Sequence, residues 1–172
     1  YDKKFINSRI EKYLYALCTL DASDLPRPLS RIEVLYRGLV IGDITESNDN
    51  RIGSAIIGST VIGGVNSDGV SVNFSSPPLS RAEEYLLACL GIYISDELPN
   101  PQSRSEVLLY KLATDDYNLD DVKCLKSRYE FLLAYIIKNG GINKDNLAND
   151  FEYITYTFAS EEYTLYNPFM GS

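Results

Sequence analysis

The sequence predicts a mainly α fold with a β-hairpin insertion and a C-terminal β segment, its helices forming an array of short capped units joined by extended proline-containing connectors. Three observations predict it. The pattern Ser-Arg-x-Glu occurs five times, each time ahead of an apolar run with helical spacing. A glycine-rich stretch interrupts the series, and the chain closes on alternating aromatic and β-branched residues.

The five copies are Ser8-Arg9-Ile10-Glu11, Ser30-Arg31-Ile32-Glu33, Ser80-Arg81-Ala82-Glu83, Ser103-Arg104-Ser105-Glu106 and Ser127-Arg128-Tyr129-Glu130. Ordinary residue frequencies would give about 0.05 copies in this length. Ser followed three positions later by Glu is a capping box. The Ser oxygen accepts from the amide of the third helical residue, and the Glu reaches back toward the Ser amide. Each such cap stabilises its helix by about 1 kcal/mol. In three copies Pro28, Pro78 or Pro101 stands two residues before the Ser and keeps the approach extended, so the helix starts sharply.

Behind each cap the fifth, sixth and ninth residues after the Ser are apolar: Tyr13/Leu14/Leu17, Leu35/Tyr36/Leu39, Tyr85/Leu86/Cys89, Leu108/Leu109/Leu112 and Leu132/Leu133/Ile136. The expectation is one sticky face per helix, each too short to stand alone, so the faces pack on one another. Capping does not explain the arginine. At the first helical position it sits at the positive end of its own helix dipole, so it is expected to reach an acceptor outside that helix, in a loop carbonyl or an acidic residue of the next repeat. An arginine row binding an anion is the functional alternative.

These units divide the chain into repeats 1 and 2 (1–50), a Gly-rich β-hairpin insertion (51–76), repeats 3 to 5 (77–147) and an aromatic strand segment with its tail (148–172). The first copy lacks the proline and reads as a terminal, cap-like unit. The fifth follows Asn118-Leu119-Asp120-Asp121 and reads as a helix starting near Asp120 with Ser127 inside it. In the insertion, Asn66-Ser67-Asp68-Gly69 is the turn signal and Val70 to Phe74 the alternating strand. Lys138-Asn139-Gly140-Gly141 is a helix stop.

Chemical constellations are scarce. The chain has no histidine, which removes Ser-His-Asp and Cys-His chemistry. No catalytic, cofactor-binding or metal-binding residue is assigned. Cys18, Cys89 and Cys124 lack zinc spacing, and the first two fall on apolar stripes as buried thiols. No glycine pattern makes a phosphate loop. The acidic run Asp115 to Asp121 fits positions 1, 3 and 5 of a calcium loop from Asp116, but Asp121 stands at position 6 where glycine is required and Ser127 at position 12 where glutamate is. Glu161 and Glu162 read as solvated turn residues rather than a glycosidase pair. A net charge of −8 gives no nucleic-acid footprint and disfavours anionic membranes.

The segments LPRPLSRIEVLYRGLV, SPPLSRAEEYLLACLG and LPNPQSRSEVLLYKLA resemble a motif that recurs in virion proteins of tailed bacteriophages, in the helical attachment regions of head-fibre, tail-fibre and baseplate or neck proteins. The resemblance covers the five helical copies, about half of the chain. It implies a non-enzymatic assembly component of a phage or prophage-derived particle, located in the virion. It would dock and oligomerise through its helices and terminal strands. Its partners would be itself and other virion proteins, with a host-surface ligand as a further possibility. Tyr153, Tyr156, Phe158, Tyr163 and Tyr166 are the expected interface aromatics. The runner-up is a receptor- or carbohydrate-binding module, against which the absence of Trp counts. A histidine-free, carboxylate-dependent hydrolase comes third.

Overall fold

In a computed structural model the described residues are 8–19, 25–41, 77–92, 97–122, 124–142 and 151–163, together with the backbone of short strands between 44 and 73. Six helices occur among them: α1 (Arg9–Thr19), α2 (Arg31–Ile41), α3 (Arg81–Cys89), α4 (Arg104–Ala113), α5 (Arg128–Lys138) and α6 (Phe151–Ser160). Each of the first five begins one residue after a repeat serine.

The series closes on itself. α1 packs on α2, α2 on α3, α3 on α4 and α4 on α5, and α5 packs back on α1. The first repeat is therefore not a terminal cap, as its missing proline suggested. It is a full member of a five-helix ring. All the expected face residues are buried except Cys89, which is half-buried, and they share one core. Removing these side chains from water drives the ring together, at about 25 cal/mol per Å² of apolar surface.

The narrow single face holds for α4 but not elsewhere, and α3 buries Tyr85 through Ala88 in a row. Tyr13 through Thr19 and Phe131 through Ile137 are buried without a break, so α1 and α5 are covered all round. The outer cover is α6. Its Ile154 and Phe158 are buried, with the Phe158 ring 6.1 Å from Tyr15 and 6.0 Å from Phe131. Tyr153 lies 5.9 Å from Phe131 and 6.3 Å from Tyr135.

The expected C-terminal β segment is thus overturned, because residues 151–160 are helical. The alternation of rings and β-branched residues concealed a second spacing: Ile154, Thr157 and Phe158 fall at i, i+3 and i+4, and burying that stripe outweighs β propensity. The hydroxyls that argued for a strand are absorbed by the helix. Thr157 Oγ1 donates to the Tyr153 carbonyl at 2.8 Å, and Ser160 Oγ to that of Tyr156 at 2.9 Å.

The simple hairpin is corrected as well. Between α2 and α3 the backbone makes β1 (Ile44–Glu46), β2 (Ser54–Ile57), β3 (Val61–Ile62), β4 (Val65–Asn66) and β5 (Val70–Asn73), all paired antiparallel. β4 pairs with β3 across Gly63-Gly64, and β5 pairs with β2, in the order β1-β2-β5. The strands on either side of the expected turn are thus not hairpin partners of each other, and residues 67–69 of that turn lie outside the described residues. β2 and β5 lie against α2.

The fifth repeat obeys the common rule. α5 starts at Arg128 with Ser127 as its extended N-cap, and no helix begins near Asp120. Helix ends follow one plan too. Gly140 and Gly91 adopt φ of 92° and 83° just past α5 and α3, and Asp115 adopts 56° past α4. After α5 the Gly140 amide donates to Ile137 and the Gly141 amide to Ile136, which is the Schellman arrangement.

Candidate functional site: a ring of arginine–glutamate pairs

The residues that set this chain apart gather at one place, where the five helices begin. Each serine accepts from the amide three residues on, at 3.4 Å in α1 and α2, 3.2 Å in α3 and α4 and 3.1 Å in α5. The reciprocal half varies. At α3 the glutamate returns to its own cap amide, Ser80 N donating to Glu83 Oε1 at 3.0 Å. Glu33, Glu106 and Glu130 accept instead from the residue before the serine, at 3.5, 3.0 and 3.3 Å.

In the second to fifth repeats the carboxylate also meets the arginine of the preceding repeat. Arg9 Nε donates to Glu33 at 2.5 Å. Arg31 grips Glu83 with two nitrogens, through Nε and through Nη2 at 2.9 Å. Arg81 does the same to Glu106, at 2.6 and 3.3 Å. Arg104 reaches Glu130 through Nη2 at 2.8 Å. The guanidinium also ties down the incoming connector. Arg31 donates to the Pro77 and Pro78 carbonyls at 2.6 and 3.1 Å, and Arg104 to that of Cys124 at 3.0 Å. An arginine at the positive end of its own helix is therefore placed by what it holds in the next one. The planar fork suits this task, presenting parallel N–H groups to the carboxylate and further N–H groups to the connector carbonyls at once.

The electrostatics follow. Burial alone would raise the Glu83 carboxyl, but hydrogen bonds from Arg31 and from the Ser80 amide and hydroxyl outweigh it and hold it below the ordinary glutamate value. Glu33 is lowered by the same balance, with Arg9 as the chief counterweight to burial. Glu106 is lowered first of all by Arg81. The closing seam differs. Glu11 is raised by burial, with the charge of Arg128 pulling the other way. Arg128 itself lies 5.6 Å over the Phe158 ring, and its charge pulls the Tyr163 phenol down against the rise that burial causes. At this seam α6 and its following residues take part in holding the arginine.

Two further devices were not anticipated. Tyr13 donates its hydroxyl to the Pro26 carbonyl at 2.8 Å, and Tyr85 to that of Pro99 at 2.6 Å. Both prolines open a Leu-Pro-x-Pro-x-Ser string, and both are preceded by a repeat with Tyr rather than Leu at its fifth position. That coincidence was the available signal. Inside the ring the Tyr36 and Tyr129 hydroxyls meet at 2.5 Å. Burial raises both phenols, Tyr129 to about 12.

The acidic run after α4 is organised by a lysine. Lys111 is 5% exposed, and its Nζ meets Asp121 at 3.0 Å, Asp116 at 3.3 Å and the Asn118 carbonyl at 2.7 Å. An ammonium thus fills the centre that the pattern offered to calcium. Among the described residues no cluster of His, Cys, Asp and Glu is arranged to hold a metal ion.

The expected interface aromatics separate. Tyr156 is 62% exposed, Phe158 is buried within its own chain, Tyr153 and Tyr163 are half-buried against Phe131, and Tyr166 lies outside the described residues. Cys18 is buried, Cys89 half-buried with its thiol pushed up to about 12, and Cys124 exposed. Glu161 and Glu162 lie exposed at the end of α6. No protein-family model matches this chain, and neither curated proteins nor solved structures give a match.

Proposed function

We propose that the chain is a non-enzymatic structural component of a phage or prophage-derived particle, acting as a docking and oligomerising element. One observation carries the reading. All five copies of the motif that resembles virion attachment regions lie at one end of the helical ring, and four of its seams are closed by an arginine of one copy on the glutamate of the next. The residues that distinguish the sequence are thereby engaged in holding helices in register. Such a body presents surfaces and a fixed place from which the insertion after α2 departs.

The test is analysis of particles purified from a lysate of cells carrying the gene. Mass spectrometry should find the chain at a stoichiometry that survives salt washing, and immunogold labelling should place it at one region of the particle. A chain found only in the unassembled fraction would refute the assignment.

A further inference from the structure

The four paired seams are of two kinds, according to which side chain holds the incoming connector. At the α1–α2 and α3–α4 seams the task is split. Arg9 and Arg81 hold Glu33 and Glu106, while Tyr13 and Tyr85 hold the Pro26 and Pro99 carbonyls. At the α2–α3 and α4–α5 seams the tyrosine is replaced by Leu35 and Leu108, which have no hydroxyl, and one arginine takes both tasks. Arg31 donates to Glu83 through Nε and Nη2, and to the Pro77 and Pro78 carbonyls through Nη1 and Nη2. Arg104 donates to Glu130 and to the Cys124 carbonyl.

The difference is mechanical. The nitrogens of a guanidinium lie in one rigid plane, so shifting the acceptors at one edge shifts the donors at the other. A tyrosine and an arginine turn on separate bonds and relax independently. One seam combines this with enclosure. Arg31 and Glu83 are nearly enclosed, whereas Arg104 is 43% exposed and more fully screened by solvent. Glu83 also closes the capping box of α3, and Pro77 follows shortly after β5, which lies against α2.

We infer that Arg31 couples the insertion to the start of α3: displacing the return at Pro77 and Pro78 loosens the grip on Glu83, and removing the Glu83 charge loosens the return. The two directions are one coupling free energy and must agree in sign and size. The helical body thereby registers the state of the insertion at one helix start, while the seams with tyrosine keep their ion pairs independent of their connectors. The inference deepens the docking reading and rests on it only for its use. Coupling is a property of the folded chain, so its failure leaves the particle analysis above untouched.

The experiment uses full-length chains and tests each direction. In Glu83→Gln, amide hydrogen exchange of β5 should accelerate at least about fivefold relative to that of α5 in the same molecule. Glu106→Gln should leave that ratio at its wild-type value, since its partner Arg81 holds no described part of the insertion. Conversely, Pro77→Gly with Pro78→Gly keeps both carbonyls but frees the backbone. The Glu83 carboxyl titration, followed by carbon-13 NMR, should then move up toward the ordinary glutamate value. Pro99→Gly with Pro101→Gly should leave that of Glu106 in place, because Tyr85 holds that connector. Three results would each overturn the proposal: an unchanged β5-to-α5 ratio in Glu83→Gln, an unmoved Glu83 titration in the first proline variant, or equal shifts of Glu83 and Glu106 in the two. Should Glu83→Gln not fold, the proline variants decide alone.

Discussion

Replacing Glu83 by Gln is the sharpest probe of the pairing. The substitution preserves shape and one acceptor oxygen but removes the charge and turns an amide donor toward Arg31. The side chains of Glu83 and Arg31 are 9% and 15% exposed, which places the pair between two regimes. Breaking a fully buried pair costs about 3–5 kcal/mol, and an exposed pair contributes about 0–1 kcal/mol. With solvent at one edge and two connector carbonyls still holding Arg31, the expected loss is about 2 kcal/mol. In a chain of this size that lowers the melting temperature by about 4–8 °C. The assay is urea denaturation with thermal unfolding monitored by circular dichroism, and Glu106→Gln is the comparison. Arg81, its partner, is 40% exposed, so the second variant should lose clearly less. Equal losses, or a change below about 0.5 kcal/mol in Glu83→Gln, would refute the claim that the ring is held by partly buried pairs.

Other expectations concern the caps, connectors and pH. Ser30→Ala with Glu33→Ala removes a cap and the carboxylate that Arg9 holds; melting should fall, and an unchanged value would sink the capping assignment. Arg31→Lys keeps the charge but cannot reach Glu83 and two proline carbonyls together, so calorimetry should find it less stable than wild type. Tyr85→Phe leaves the Pro99 carbonyl without its donor and should lose about 1 kcal/mol in urea titration, with Tyr13→Phe similar. Gly91→Ala meets open space at φ 83°, so its penalty is backbone strain of about 1 kcal/mol, partly recovered by Asn. For pH the signs oppose. Glu33, Glu83 and Glu106 are lowered, so their contribution is present above the ordinary glutamate value and lost as pH falls through their folded values. Glu11 is raised, so its contribution is present below the unfolded value and lost as pH rises through the folded one. At pH 7 Glu11→Gln should therefore match or exceed wild-type stability while Glu83→Gln falls below it. The reverse order in parallel melts would contradict the assignment.

What the sequence disclosed, and what it concealed, divides by distance along the chain. Ser80 and Glu83 are three residues apart, so their capping relation is written locally. The arginine was legible as a misfit, because its own helix offers it nothing. Its partner lies a whole repeat away, so only the kind of acceptor could be named. Closure of α5 on α1 has no local signature at all. For α6 the strand reading rested on Tyr153, Thr155 and Thr157, yet Ile154 and Phe158 carry the burial, and only a ring with an uncovered seam makes their spacing matter. In the acidic run the decisive residue was Lys111, which lies inside the preceding helix and outside any calcium-loop pattern.

The gathered helix starts have one more consequence. Each helix carries the chain about 15 Å away from the arginine end, and each connector must bring it back. Departure and return points are thus set by the helices, whatever lies between them. Residues 90–103 make the return between α3 and α4, while residues 42–80 make it between α2 and α3 with nearly three times the length and five strands on the way. Closing the longer excursion costs only about 1 kcal/mol more in chain entropy. Added length between α2 and α3 therefore costs the body little, provided Pro77 and Pro78 still meet Arg31 and β2 and β5 keep their place against α2.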